Sequence, residues 1–229
     1  MNTERSAAER ILSESRSLLE LGGYAAALPW LPLLGRGDGH QVLVLPGFST
    51  SDRSTVPMRN ALRLLGYRSH GWRLGVNRGP NRALLAAMRD RLDALYARDD
   101  APVSIVGWSL GGVYARGLAR RDPAKVRQVI TLGSPFRPIE AARGWPPPPV
   151  PSTAVFSRRD AVVRWQDASD EPDRRRENVE IDSSHFGLGH NPATMVVLAD
   201  RLAQDIDFWR PFDPPRPLRR LFPAGSRNR

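Results

Sequence analysis

One stretch of ten residues, Val103 to Gly112, constrains the fold of this chain more than any other. Its first four residues, Val-Ser-Ile-Val, are mostly apolar and β-branched, which favours a buried strand. The next five read Gly-Trp-Ser-Leu-Gly, and a helix-compatible segment follows at once and continues to Arg121. On such a sharp strand-to-helix turn a serine hydroxyl is lifted clear of the sheet, and glycines stand where side chains would collide. The stretch therefore predicts a strand–turn–helix unit with Ser109 as a candidate nucleophile.

The same alternation of strand and helix continues along the chain. Strands are predicted over residues 41–45, 67–72, 103–106, 126–132, 153–157 and 178–181, and helices over 57–65, 82–97, 113–121 and 193–209. Six strands that alternate with helices predict an α/β fold, a mainly parallel sheet with helices on both faces, in a single domain over residues 40–210. Such sheets bind their ligands at the carboxyl ends of the strands.

The two ends of the chain differ from this pattern. Residues 1–39 are predicted to form an amphipathic arm, with a helix over residues 4–21 that Gly22 and Gly23 end. This arm either docks to a membrane or a partner, or walls the substrate site, or packs on the domain's own flank, and the last interpretation is favoured. Residues 211–229 are rich in Pro and Arg, and we expect this tail to be disordered or laid along the surface.

The composition excludes several classes of function. The net charge is +10, but the basic residues are scattered, so no nucleic-acid partner is expected; a weak association with anionic membrane surfaces stays open. Cysteine is absent and the four histidines lack ligand spacing, so neither a metal nor another cofactor is expected. Residues 1–20 carry charges throughout and no long apolar run follows, which predicts a cytoplasmic protein without a membrane span.

Three polar residues follow predicted strands at their carboxyl ends and form a candidate catalytic set. They are Ser109, Asp160 and His185. A serine hydroxyl needs an imidazole to take its proton, and the imidazole needs a carboxylate that fixes its tautomer. Other residues compete for two of these roles: Asp167, Asp170 and Asp173 are alternatives for the acid, and His190 is an alternative for the base. The proximity to the preceding strand favours Asp160, and the position of His190 beside a helix cap favours His185.

Four motifs resemble the α/β-hydrolase superfamily, and within it small bacterial lipase- or esterase-like members. The motifs are Gly107–Gly112, Leu43–Phe48, Thr131–Pro135 and Ser184–Leu188, and the resemblance covers about residues 40–210. It implies a serine hydrolase that cleaves a small-molecule carboxylic ester with an apolar acyl chain through an acyl-enzyme on Ser109. It also implies that the backbone N–H groups of Phe48 and Leu110 bind the oxyanion, although many relatives have His-Gly where this chain has Pro46-Gly47.

Several points stay open at this stage. The same residues would serve an acyltransferase or a thioesterase, and a non-catalytic scaffold on this fold is a further alternative. Trp108 and Trp145 either belong to the core or line an acyl pocket. The segment 136–151 is short and contains four successive prolines, so we expect a stiff extended path and an open cleft with minimal or no cap domain. The oligomeric state is not encoded in any recognisable pattern.

Overall fold

A parallel sheet forms the centre of the molecule. The computed structural model describes residues 7–205 and 208–223, with side chains from residue 15 onward. Its strands are β1 (Gln41–Leu45), β2 (Arg68–Gly71), β3 (Val103–Trp108), β4 (Val126–Leu132), β5 (Ser152–Phe156) and β6 (Arg176–Glu180). In this part of the chain they form one six-stranded sheet in the order β2-β1-β3-β4-β5-β6, and every neighbouring pair is parallel. The predicted α/β architecture is confirmed.

Helices cover both faces of this sheet. They are α1 (Ala7–Ala27), α2 (Val56–Leu64), α3 (Arg82–Asp99), α4 (Leu110–Arg121), α5 (Phe136–Arg143) and α6 (Pro192–Leu202). Side chains alternate along β1, so that Val42 and Val44 pack in the core with α2 and α6, whereas Leu43 and Leu45 pack with α3 and α4. Both faces are thus buried, which explains why the strands read as apolar runs. No helix in the described residues is long and apolar enough to cross a membrane.

The N-terminal helix extends further than the sequence predicted. It passes through Gly22 and Gly23 and ends at Ala27, where a 3-10 segment (Leu28–Leu34) begins. Tyr24 explains the extension, because its ring is buried and its hydroxyl donates to the carbonyl of Pro57 at 2.6 Å. Residues 4–6 of the predicted helix lie outside the described residues.

The C-terminal tail is ordered over its described residues. Over residues 211–223 it packs on the body of the molecule, with Phe212 and Phe222 buried and their ring centroids 5.1 Å apart. The N–H of Phe212 donates to Glu177 Oε2 at 2.7 Å. Of the two expectations for the tail, disorder and a path along the surface, these residues follow the second, because two buried aromatic side chains anchor a segment that includes the 3-10 helix Arg216–Leu221. The last predicted helix, in turn, ends at Leu202 and not at residue 209.

The connection between β4 and β5 contains a helix that the sequence did not predict. Helix α5 covers residues 136–143, and only the proline-rich part after it lacks helix and strand. Glu140 holds α5 against α4 by accepting from Arg116 Nε at 2.7 Å and from Arg116 Nη2 at 2.8 Å. Both side chains of this pair are buried. The expected extended path is therefore wrong for residues 136–143, and the connection is a short helix fixed to its neighbour by a bidentate ion pair.

Candidate active site

Ser109 occupies a strained turn between β3 and α4. Its φ of 53° and ψ of −124° are unfavourable for a residue with a side chain, as expected of a serine on this kind of turn. A Cβ at Gly107 would collide with the backbone of Gly112, and a Cβ at Gly111 would collide with the carbonyl of Leu45. The two glycines of the motif are therefore steric requirements, because the chain passes itself at a distance that excludes side chains.

Two hydrogen bonds join Ser109, His185 and Asp160. His185 Nε2 lies 3.1 Å from Ser109 Oγ, and His185 Nδ1 lies 2.7 Å from Asp160 Oδ2. The three residues follow β3, β6 and β5, so the parallel order of the sheet brings them to one edge. The side chains of His185 and Asp160 are buried, whereas Ser109 is partly exposed. The hydroxyl is thus the member of the set that a substrate can reach.

The backbone after Asp160 holds its carboxylate in place. Oδ1 accepts from the N–H of Val162 at 2.8 Å and from the N–H of Val163 at 2.7 Å, which leaves Oδ2 for the imidazole. A carboxylate held in this way can keep Nδ1 of His185 as the donor and Nε2 as the acceptor.

The competing residues have other partners. Asp167 binds Arg164, Asp170 binds Arg116, and Asp173 binds Arg176. His190 Nε2 lies 2.9 Å from the carbonyl of Ser17 on α1, and its ring does not contact Ser109 in the described structure. Of the candidates that the sequence left open, the structure brings Asp160 and His185 to Ser109.

Two segments that flank Ser109 carry the backbone N–H groups predicted to bind an oxyanion, those of Leu110 and Phe48. Leu110 is the first residue of α4, where N–H groups have no acceptor within the helix. Phe48 follows Gly47, and a Cβ placed on Gly47 would lie 3.2 Å from the Cβ of Ser109, so this loop passes close to the nucleophile. Within the described residues neither N–H donates to another protein group. The pair is therefore available to an oxygen atom of a bound substrate.

Asn77 braces the loop that carries Phe48, and sequence reasoning missed it. This side chain is fully buried, and its Nδ2 donates to the carbonyl of Pro46 at 3.0 Å. The backbone of Asn77 exchanges hydrogen bonds with Thr50 at 2.8 Å and with Ser49 at 2.7 Å. In the sequence, Asn77 begins an Asn-Arg-Gly-Pro-Asn run that indicates only a turn, so no local signal points to this contact.

An apolar groove is lined in part by Leu110, the residue that follows Ser109 in the sequence. It has a volume of about 890 Å³ and lies between α3, α4 and α5. Most of its lining is apolar, with Leu85, Val113 and Ile139 among the lining residues. Trp145 also lines it and is 41% exposed, so it lies outside the core, and its place in an acyl pocket stays a prediction. None of the described arm residues lines the groove.

Trp108 has a different position from Trp145. It is buried, does not line the groove, and donates from Nε1 to the carbonyl of His185 at 3.1 Å. Of the two locations that the sequence left open, Trp108 takes the core, where its indole supports the loop that carries the imidazole.

Within the described residues, no cluster of three or more His, Asp or Glu side chains could hold a metal ion.

Comparisons with known proteins place this geometry in context. No protein-family model matches the chain. One segment of 54 residues is 46% identical to part of a pimeloyl-[acyl-carrier protein] methyl ester esterase of Neisseria meningitidis, and covers 24% of this chain and 21% of that protein. The corresponding esterase of Aromatoleum aromaticum is 52% identical over 52 residues, 21% of this chain and 20% of that protein. The match thus spans about a fifth of the length of these relatives.

Solved structures resemble the chain over a larger part of its length. Aspergillus fumigatus lipase B superposes with a TM-score of 0.58 at 16% identity, over 72% of this chain and 53% of the lipase. The mature form of Bacillus licheniformis lipase BlEst2 gives a TM-score of 0.57 at 13% identity, over 74% of this chain and 94% of the lipase. At these identities the likeness concerns the fold. The chain has the α/β-hydrolase fold of these lipases, and one segment of its sequence is similar to part of the esterases named above.

Proposed function

We propose that this protein is a serine hydrolase that cleaves carboxylic esters through an acyl-enzyme on Ser109. The observation that carries the proposal is the hydrogen-bonded series from Ser109 Oγ to His185 Nε2 and from His185 Nδ1 to Asp160 Oδ2, at 3.1 Å and 2.7 Å. An imidazole in that position can take the hydroxyl proton as the oxygen attacks a carbonyl carbon. Asp160 then stabilises the imidazolium that forms.

The remaining steps follow from the same geometry. The tetrahedral oxyanion accepts hydrogen bonds from the N–H groups of Phe48 and Leu110. As it collapses, the carbon–oxygen bond to the alcohol breaks, and His185 returns the proton to the leaving oxygen. Water, deprotonated by His185, then attacks the acyl-enzyme, and the acid is released with Ser109 restored. These steps use only side chains and backbone groups of the chain itself.

We further propose that the acyl chain of the substrate lies in the groove between α3, α4 and α5. Leu110, the residue after Ser109 in the sequence, lines the groove, and the lining as a whole is mainly apolar. The relatives' names state a methyl ester on a carrier-linked pimeloyl chain, so that ester is the first specific compound to assay. A graded series of p-nitrophenyl esters tests the wider class.

The first experiment is labelling with a fluorophosphonate probe, followed by p-nitrophenyl ester kinetics. We expect Ser109→Ala to abolish labelling, and Ser109→Ala or His185→Ala to lower kcat/KM by about 10⁴-fold or more. Asp160→Asn should lose about a hundredfold or more, because the imidazole is no longer held in the required tautomer. The matched control is Asp173→Asn, which changes a competing aspartate whose carboxylate pairs with Arg176. It should keep labelling and activity within about threefold of wild type.

Other outcomes would favour the alternatives. Products formed with added alcohols or amines, in preference to the free acid, would indicate acyl transfer. A higher kcat/KM for a thioester than for the matched oxygen ester would indicate a thioesterase. Folded wild type that neither labels nor cleaves any ester would refute the hydrolase proposal and favour a binding protein.

A further inference from the structure

Glu20 lies on α1, outside the sheet, yet its carboxylate reaches the loop that carries His185. Oε1 accepts from the N–H of Ser184 at 3.0 Å and from Asn191 Nδ2 at 3.1 Å. Oε2 accepts from the hydroxyl of Ser184 at 2.6 Å. Ser184 and Asn191 are both buried. One carboxylate therefore receives three hydrogen bonds from buried donors, an arrangement in which charge strengthens each bond.

These donors stand at the two ends of the loop. Ser184 directly precedes His185, and Asn191 caps the N-terminus of α6 with its side-chain oxygen, which accepts from Ala193 N at 2.8 Å. The amide of Asn191 also donates to the carbonyl of Asp182 at 3.1 Å. Glu20 thus ties the start of the segment 184–191 to its end, from the side of the molecule opposite the groove.

The loop passes close enough to the carboxylate to require a glycine. A Cβ at Gly187 would collide with Glu20 Oε2. A second contact from α1 reaches the same loop, because the Ser17 carbonyl lies 2.9 Å from His190 Nε2. From the core side, the indole of Trp108 donates to the carbonyl of His185 at 3.1 Å. The backbone that carries the imidazole is therefore held between β3 and α1.

We propose that Glu20 is a positioning residue that holds His185 in reach of Ser109. The inference rests on the proposed roles of Ser109 and His185. Without the carboxylate, the N–H and hydroxyl of Ser184 would lose their acceptor in a buried place, and the loop would move to find others. A shift of about 1 Å at the imidazole is enough to lower the rate of ester cleavage strongly, because proton transfer requires His185 Nε2 to lie within hydrogen-bond distance of Ser109 Oγ. The N-terminal arm would then be a structural part of the catalytic site.

The test compares Glu20→Ala and Glu20→Gln with wild type in two measurements. We expect Glu20→Ala to lower kcat for a short p-nitrophenyl ester by about tenfold or more, with KM within about twofold, because the base and not the groove is displaced. Hydrogen exchange followed by mass spectrometry should become faster over residues 184–191 by a similar factor. Glu20→Gln keeps one acceptor oxygen, so its kcat and its exchange rate should lie between those of wild type and Glu20→Ala.

Two further variants serve as controls. Arg16→Ala removes a more exposed contact of the same helix, the 3.5 Å pair with Asp182, and should behave as wild type. Gly187→Ala displaces the carboxylate without altering α1, so it should reproduce the loss of kcat and the faster exchange. It also keeps the inference testable if Glu20→Ala does not fold.

Two results would overturn the inference. One is unchanged kcat and unchanged exchange in a folded Glu20→Ala or Gly187→Ala. The other is an equal loss in Arg16→Ala, which would indicate general instability of α1. If the wild type cleaves no ester and does not label, the hydrolase proposal fails, and the exchange comparison still decides whether Glu20 holds the loop.

Discussion

Hydrogen bonding alone does not mark a nucleophile, as a second serine of this protein illustrates. His40 lies between Asp38 and Ser104, with Nδ1 2.5 Å from Asp38 Oδ1 and Nε2 2.8 Å from Ser104 Oγ. The order of groups resembles the set around Ser109, but Ser104 is fully buried within β3 and no substrate can reach it. Burial also lowers the pKa of His40. What distinguishes Ser109 is its strained turn at the start of α4, where the residue is partly exposed.

Asn77 is the residue whose substitution should most directly affect the loop that carries Phe48, the proposed oxyanion donor. Asn77→Ala leaves the carbonyl of Pro46 and the hydroxyl of Tyr114 without their buried partner, since Tyr114 donates to Asn77 Oδ1 at 3.2 Å. Such losses cost about 1–3 kcal/mol each in stability. We expect kcat/KM for esters to fall by about tenfold or more, because the N–H of Phe48 is no longer held in position.

Tyr114→Phe is the matched control for Asn77→Ala. Burial raises the pKa of Tyr114 to about 12, so its hydroxyl remains a donor at neutral pH. The variant removes only that donor and should lose less activity than Asn77→Ala. Equal activity of Asn77→Ala and wild type would contradict the role assigned to this loop.

At the scale of elements, α4 links the candidate nucleophile to the groove. Its first residue supplies a backbone N–H, and the groove extends along α4 from Leu110 to Arg121. Helix α5 is fixed against it by the ion pair between Arg116 and Glu140 and forms another wall. A short helix packed in this way leaves the groove uncovered, so chain length should be limited by the groove and not by a lid.

Gly117 offers a test of that idea. It lines the groove in the middle of α4, about 10 Å along the helix axis from Leu110, and a Cβ there would meet nothing within 4 Å. Gly117→Leu should fill the groove and lower kcat/KM for long-chain esters by about tenfold or more, while p-nitrophenyl acetate is cleaved at the wild-type rate. Thermal stability should not fall, because glycine is a poor helix former.

The control is Gly117→Ala, which gives the same gain in helix propensity with little added volume. It should retain the chain-length profile of wild type. If Gly117→Leu shows the same profile, the acyl chain lies elsewhere.

At the scale of the whole molecule, acid should weaken the fold through the half-buried His70. Burial, and then the positive charges of Arg91, Arg98, Arg73 and Arg63, lower the pKa of His70 from 6.5 to about 4. Below pH 6.5 the unfolded chain therefore takes up a proton that the folded chain does not, and stability is lost as the pH falls towards 4. We expect the urea midpoint of wild type to decrease over this pH range more than that of His70→Gln. Equal pH dependence of the two midpoints would contradict the lowered pKa of His70.

The net charge of +10, together with exposed apolar side chains, leads to a second prediction for the whole molecule, which concerns membrane surfaces. The segment from Leu21 to Gly35 carries no charged residue, and on or beside it Leu18, Leu19, Trp30 and Leu33 are between 66% and 79% exposed. We therefore predict that the protein associates weakly with anionic membrane surfaces. We expect co-sedimentation with phosphatidylserine-containing vesicles, less in high salt and less for Trp30→Ser. Equal sedimentation with neutral phosphatidylcholine vesicles would show that the positive charge does not contribute to the association.

The alternation of strands and helices, the parallel sheet and the turn at Ser109 could all be predicted from the amino-acid sequence. These features depend on local periodicity and on steric limits within a few residues, as the collisions expected at Gly107 and Gly111 illustrate. Three features could not be predicted in this way: which of several aspartates reaches His185, the anchoring of the tail by Phe212 and Phe222, and the contacts of Asn77 and Glu20 with the two loops of the site. Each of these depends on a contact between distant parts of the chain, and such contacts form only when the sheet brings its loops together.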